Sequence, residues 1–153
     1  MGTDWLEQQI EIIRTAERKR QQENQVKRHL ADMLKAKAHI FLADAGQETK
    51  KVVDILNREF KDDQKRQLTV ETLPNAIAVG GLGSRVTATL QPGGVIRFTT
   101  ESGHAHVHTR EHTIELAVDE NELLYCQQAE SRGPGAVTQA LLRPFLSAFR
   151  EEV

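Results

Sequence analysis

The chain has 153 residues, a formal net charge of −2 and one cysteine, Cys126. Its 39% hydrophobic and 27% charged residues exclude a disordered chain, and this length predicts a single globular domain. The near-neutral charge gives no general attraction to nucleic acid, and a single cysteine excludes an internal disulfide. No apolar run approaches the ~20 residues that span a bilayer, so no membrane-spanning helix is predicted. Together with the near-neutral charge and the single cysteine, this predicts a cytoplasmic protein that binds neither nucleic acid nor membrane.

Residues 1–46 are predicted to form one long amphipathic helix. Thr3 or Asp4 can cap its start, Gly46 predicts its end, and no proline interrupts residues 4–45. At 1.5 Å per residue such a helix would be roughly 60 Å long. Apolar residues recur at helical spacing in residues 5–16 and again in a stripe from residue 26 to residue 45.

Between these stripes, residues 17–25 (ERKRQQENQ) contain no apolar side chain. Two alternatives follow. The helix breaks or bends there and folds back on the sheet, or its amino end projects as an oligomerisation arm. In the second case Trp5, Leu6, Ile10 and Ile13 would form an interface with another copy of the chain. The basic residues of this region alternate with acidic ones, which is typical of a solvated helical face.

Residues 47–153 are predicted to form a compact α+β domain. The pattern gives a second helix at 47–60, an antiparallel meander of about five to seven strands, and a closing helix with an apolar seam. Pro144 lies inside that seam and is expected to kink the closing helix. The seam consists of Val137, Leu141, Phe145 and Phe149.

The central hairpin can be placed in register from sequence. Residues 85–91 and 95–101 alternate in polarity, with Pro92-Gly93-Gly94 between them. A three-residue loop, with Gly94 in the left-handed conformation, pairs Leu90 with Ile96 and Ala88 with Phe98.

The later strands are predicted with less regular connections. A two-residue turn at Ser102-Gly103 would pair Phe98 with Val107. Val107 is odd-numbered, whereas the next apolar residues, Ile114, Leu116 and Val118, are even-numbered. Because side chains alternate between the two faces of a strand, a break of register is expected near Arg110. The last hairpin is predicted to pair Leu116 with Tyr125 and Val118 with Leu123. The predicted core of the sheet contains Phe98, Val107, Leu116 and Tyr125.

Histidines supply the one set of side chains that suggests chemistry. In the predicted register His104, His106 and His108 share a strand face with Arg97, with neighbours ~6.5 Å apart. Two such imidazoles could hold zinc or a similar divalent ion, with Glu101, Glu111 or His112 as a third ligand. Imidazoles on a flat strand face point in parallel and do not converge, so we expect no tight metal site and no cofactor.

Other candidate sites are weaker. The glycine-rich stretch with Gly80, Gly81 and Gly83 does not match a dinucleotide-binding loop, because the last glycine of that motif and the helix that follows it are missing. We therefore expect a flexible hairpin loop and no nucleotide site. Cys126 is predicted to be a small core residue. No nucleophile, base or carboxylate pair forms a recognisable catalytic set.

The sequence therefore favours a small non-enzymatic interaction or assembly protein that self-associates through its amino-terminal helix. One alternative is a metal-binding protein or metal-dependent enzyme that uses the histidine face. Another is a binder of a small apolar ligand between sheet and helix. The identity of any further protein partner is not indicated.

Overall fold

The computed structural model describes residues 2–103, 107, 112–127, 129 and 131–151. As the sequence predicts, the fold is α+β, and the described strands form a six-stranded antiparallel sheet whose neighbours pair in chain order. The helices are α1 (Asp4–Glu59) and α2 (Gly135–Glu151), with a 3₁₀ turn at Gln64–Arg66. The strands are β1 (Thr69–Leu73), β2 (Ala76–Gly81), β3 (Ser84–Gln91), β4 (Val95–Glu101), β5 (His112–Val118) and β6 (Leu124–Cys126).

The chain divides into two compact units, Met1–Met33 and Leu34–Val153, whereas the sequence predicted a division after Gly46. In the first unit residues 4–33 are helical, and every side chain from residue 2 to residue 32 is exposed. The second unit contains the rest of α1, the sheet and α2. Its buried apolar side chains form one core cluster.

The predicted pair of amino-terminal helices is one continuous helix. Gly46 does not end it, because the glycine is buried where α1 approaches β1 and β2: a Cβ there would lie 3.1 Å from Thr72 Cγ2 and 3.7 Å from Ile77 Cδ1. Glycine inside a helix costs only about 1 kcal/mol, so packing outweighs it. The helix also runs unbroken through residues 17–25, most of which are good helix formers.

The β3–β4 hairpin has the predicted register. Leu90 pairs with Ile96 and Ala88 with Phe98 across the Pro92-Gly93-Gly94 loop. Gly94 is left-handed, with φ of 73°, as the loop length requires.

The β4–β5 pairing differs from the prediction. His112 lies opposite Phe98 and Ile114 opposite Ile96, so the predicted pairing of Phe98 with Val107 is wrong. The predicted turn at Ser102-Gly103 leads into residues 104–106, which lie outside the described residues. The register observed places the apolar side chains of β5 beside those of β4. Val107 is nevertheless fully buried, as predicted. The predicted break near Arg110 lies outside the described residues.

The β5–β6 hairpin is shifted by one residue from the prediction. Val118 pairs with Leu124 and Leu116 with Cys126. The loop is longer than predicted because the Asp119 carboxylate holds it by accepting hydrogen bonds from the backbone N–H groups of Asn121 and Leu123. The shift places Cys126 in the core. Tyr125 is therefore half-buried, contrary to prediction, and its ring lies 4.2 Å from the Arg132 guanidinium.

The glycine-rich stretch is a tight turn and not a flexible loop. Gly80 and Gly81 belong to β2, and Leu82 and Gly83 form a two-residue turn with φ of 52° and 69°. The element that follows is strand β3, which begins at Ser84.

Helix α2 closes the core through the predicted seam. Val137, Leu141 and Phe145 are fully buried, and the helix continues through Pro144. The kink at Pro144 stays a prediction. A buried hydrogen bond of 2.9 Å between the hydroxyls of Thr49 and Thr138 joins α1 to α2.

Replacing Phe98 by alanine should lower the free energy of unfolding by ~3–5 kcal/mol, because the ring is fully buried and its loss leaves a cavity. Leu123→Ala is the matched control: this side chain is exposed, and its loss should change stability by less than about 0.5 kcal/mol. Urea unfolding measures both. Equal stabilities for the two variants would show that Phe98 is not a core residue.

Candidate functional site

The strongest candidate surface is the helical segment of residues 4–33, here called the N-terminal segment. Its predicted interface residues are all exposed, from 64% for Trp5 to 39% for Ile10. Leu6 and Ile13 lie between these values, and Ile12 is 60% exposed. Five large apolar side chains within nine residues make a contiguous apolar surface, which is typical of an interaction site.

Two further exposed apolar residues lie in the same segment and were not predicted to be exposed. Val26 and Leu30 were assigned to one stripe with Ala38 and Phe41, but only the later part of that stripe is buried. Val26 is 58% exposed and Leu30 is 41% exposed. The sequence contained a signal for them, because Val26 continues the seven-residue spacing that links Trp5 to Ile12, and Leu30 follows Val26 by four residues on the same side of the helix.

The predicted metal ligands can be placed only in part. His104, His106, His108 and Glu111 lie outside the described residues. His112 starts β5 opposite Phe98, and its ring is stacked on the Phe98 ring, with 4.5 Å between the centroids and 7° between the planes. Across the described residues, no three histidine, cysteine or acidic side chains are grouped as metal ligands would be.

The face on which His112 lies bears on the metal hypothesis. Side chains that pair directly across strands point to the same face of a sheet. His112 therefore lies on the core face with Phe98, while Arg97 and its partner Thr113 lie on the other face. The sequence had placed the histidine cluster on the Arg97 face, where His112 could contribute only through an intervening turn.

Cys126 is the single cysteine, and it is buried in the core as predicted. Its Sγ donates to the carbonyl oxygen of Gly133 at 3.7 Å. Burial raises the pKa of the Cys126 thiol to about 11. At neutral pH the residue is therefore a protonated thiol, which is a poor nucleophile.

Two grooves lie on the surface of the second unit. One, of about 370 Å³, lies between α1 and the β1–β2 hairpin and mixes apolar Leu42 and Ile77 with polar Lys50. The other, of about 350 Å³, lies between β5 and α2 and is lined by several polar side chains, including Gln139 and Arg143. Both are open to solvent. An apolar ligand between sheet and helix stays a prediction that neither groove specifically supports.

No family model, no curated protein and no solved structure matches this chain. None of the helices in the described ranges has an apolar stretch that would cross a bilayer. The contacts, burial and charges of the chain itself are therefore the basis for assigning a function.

A calorimetric titration of the protein with zinc should show no sub-micromolar site, because a tight zinc site needs at least three converging protein ligands and the described residues bring no such group together. The variants His106→Ala and His112→Ala should behave like the wild type. Tight binding of one ion per chain that His106→Ala abolishes and His112→Ala retains would overturn this expectation.

The Cys126 thiol should react slowly with iodoacetamide in the native protein. With a pKa of about 11, roughly 0.1% of it is thiolate at pH 8, against roughly a quarter of an exposed cysteine thiol. Mass spectrometry should show alkylation at least about a hundredfold slower than in the same chain in denaturant. Equal rates in the two states would contradict the burial of this side chain.

Proposed function

We propose that this protein is a small non-enzymatic assembly protein that self-associates through its N-terminal segment. The observation that carries the proposal is the exposure of Trp5, Leu6, Ile10 and Ile13 along one helical stripe. A metal-dependent catalytic site has no comparable support, because the described residues bring together no three histidine, cysteine or acidic side chains that could hold a metal ion.

The energetics of the segment favour association. Burying one exposed leucine or isoleucine side chain contributes about 1.5–3 kcal/mol, so several of them in one interface can offset the entropy lost on association. An isolated helix is also marginally stable in water, since most helical stability in proteins comes from packing of an apolar face. A partner that covers the stripe stabilises both the interface and the helix.

The charge of the segment makes a second copy a suitable partner. Its six basic residues are balanced by six acidic ones, so two segments can approach without net repulsion. The same balance disfavours nucleic acid or a lipid surface as the partner. The basic residues are Arg14, Arg18, Lys19, Arg20, Lys27 and Arg28, and the acidic residues are Asp4, Glu7, Glu11, Glu17, Glu23 and Asp32.

The assembly would work in a reducing compartment, most simply the cytoplasm. The chain has one cysteine, which is buried and cannot form an internal disulfide, and such cysteine use is typical of cytoplasmic proteins. An unidentified protein could bind the assembled form, but no surface on the described residues indicates its chemistry.

Sedimentation equilibrium should show a dimer or a larger oligomer of the wild-type chain at micromolar concentrations. The double variant Leu6→Glu, Ile13→Glu should weaken association by at least about a hundredfold, because each substitution places a charge where an apolar side chain would be buried.

The matched control is the double variant Gln21→Glu, Gln25→Glu, which adds the same charge to the same helix outside the apolar stripe. It should associate like the wild type. A wild-type chain that remains monomeric at about 100 µM would contradict the proposed function. Equal weakening of association by both double variants would contradict it as well.

A further inference from the structure

A second pattern runs through the whole N-terminal segment and includes its polar middle. Starting at Trp5, positions separated alternately by four and three residues form one continuous line, here called the heptad seam. An average spacing of 3.5 residues is the repeat of left-handed coiled coils. The seam consists of Trp5, Gln9, Ile12, Ala16, Lys19, Glu23, Val26, Leu30 and Met33.

The heptad seam is available to a partner. Trp5, Ile12, Val26 and Leu30 are its large apolar members at both ends, and all four are exposed. The apolar positions at the two ends are separated by two charged positions, Lys19 and Glu23, at the middle of the seam. Leu6 and Ile13, which the proposed function places in the interface, follow Trp5 and Ile12 directly and so flank the seam.

The two central charges distinguish the possible orientations of a pair of helices. In a parallel, in-register pair each seam residue lies beside its own copy, so Lys19 would face Lys19 and Glu23 would face Glu23. Like charges at facing core positions are destabilising. In an antiparallel pair centred on residue 21, Lys19 of each copy faces Glu23 of the other, and both contacts are attractive.

The same antiparallel register also matches the apolar ends of the seam. Residues whose numbers sum to 42 lie opposite each other, so Ile12 faces Leu30 and Ala16 faces Val26 of the second copy. Gln9 then faces Met33, and no charged seam residue faces an apolar one. Trp5 lies opposite position 37, beyond the end of the seam.

We infer that the N-terminal segment pairs with a second copy of itself as an antiparallel two-helix coiled coil centred on residue 21. This inference rests on the proposed self-association and adds the partner's orientation and register. It gives the polar residues 17–25 a role, because the Lys19 and Glu23 contacts at the centre select one orientation over the other.

Disulfide cross-linking of two single variants, Ile12→Cys and Leu30→Cys, tests the orientation. Each variant carries a tag of a different size, so that the possible linked pairs differ in mass. Both variants keep the buried Cys126, and any cross-linking through it sets the background level. In the antiparallel register, cysteines at position 12 of the two copies lie roughly 27 Å apart, while position 12 faces position 30. Mild oxidation should therefore link the two variants when they are mixed, and neither variant to itself.

Each outcome of this experiment decides one point. Self-linking of both variants when each is oxidised alone would establish a parallel pair and overturn the inference. A dimer by sedimentation that gives no cross-link in the mixture would overturn the register. A monomeric wild-type chain would instead overturn the proposed function, so the two failures are distinguishable.

Charge reversal tests the central contacts by a different readout. Lys19→Glu and Glu23→Lys should each weaken the dimer by about tenfold, because each single variant makes both central contacts repulsive, and the double variant should restore wild-type affinity. Lys19 and Glu23 are also i,i+4 neighbours within one helix, so the matched controls are Arg28→Glu and Asp32→Lys, which reverse the charges of an i,i+4 pair off the seam. Sedimentation equilibrium measures the dissociation constants. Single reversals that match these controls, or a double variant that is not restored, would contradict the antiparallel pairing.

Discussion

Hydrophobic burial changes abruptly along α1, and the rest of the structure depends on that change. From Ala38 onward the helix buries Phe41, Leu42 and Ala45 in the core of the second unit, and Gly46 permits its close approach to β1 and β2. Before residue 33 the same helix buries none of its described side chains. Its backbone hydrogen bonds are continuous, but the apolar contacts that usually stabilise a helix are present only in its second half. A second copy covering the first half would supply the missing contacts.

The sheet is a scaffold in which one face is apolar and the other is polar. The core face carries Phe98 and Ile96, and the β4–β5 register places His112 on that face, where its exposed side chain stacks on the Phe98 ring. The opposite face carries charged side chains, including the exposed ion pair of Arg85 with Glu71 at 2.8 Å. Histidine at the start of β5 therefore has a structural explanation as an aromatic partner, independent of any metal.

Elements whose pattern and turn chemistry agree could be predicted from sequence. The β3–β4 register followed from two alternating strands joined by a loop of known length, and the α2 seam followed from four-residue spacing. The β4–β5 register failed because residues 112–118 alternate as well as residues 104–109 do, and sequence alone does not say which stretch pairs with β4. The β5–β6 register failed because one side chain, Asp119, sets the loop length through its own hydrogen bonds.

The candidate interface was predictable in its first part and not in its second. Trp5 and Ile13 stand out because a polar stretch separates them from the core. Val26 and Leu30 share helical spacing with Ala38 and Phe41, and periodicity does not reveal where along one helix tertiary packing begins. The end of α1 was predicted too early for a related reason, since the cost of a glycine inside a helix is small compared with the packing that Gly46 makes possible.

Self-association of the N-terminal segment can be measured by amide hydrogen exchange at increasing protein concentration, because an amide buried by association exchanges more slowly as the associated fraction rises. We predict that exchange in residues 5–30 slows as concentration increases from about 1 to 100 µM, a range that spans typical weak to moderate dimer affinities. Exchange in residues 137–149 of α2 should stay constant, because that helix is buried within each chain. Fast exchange in residues 5–30 at every concentration would contradict self-association through the N-terminal segment.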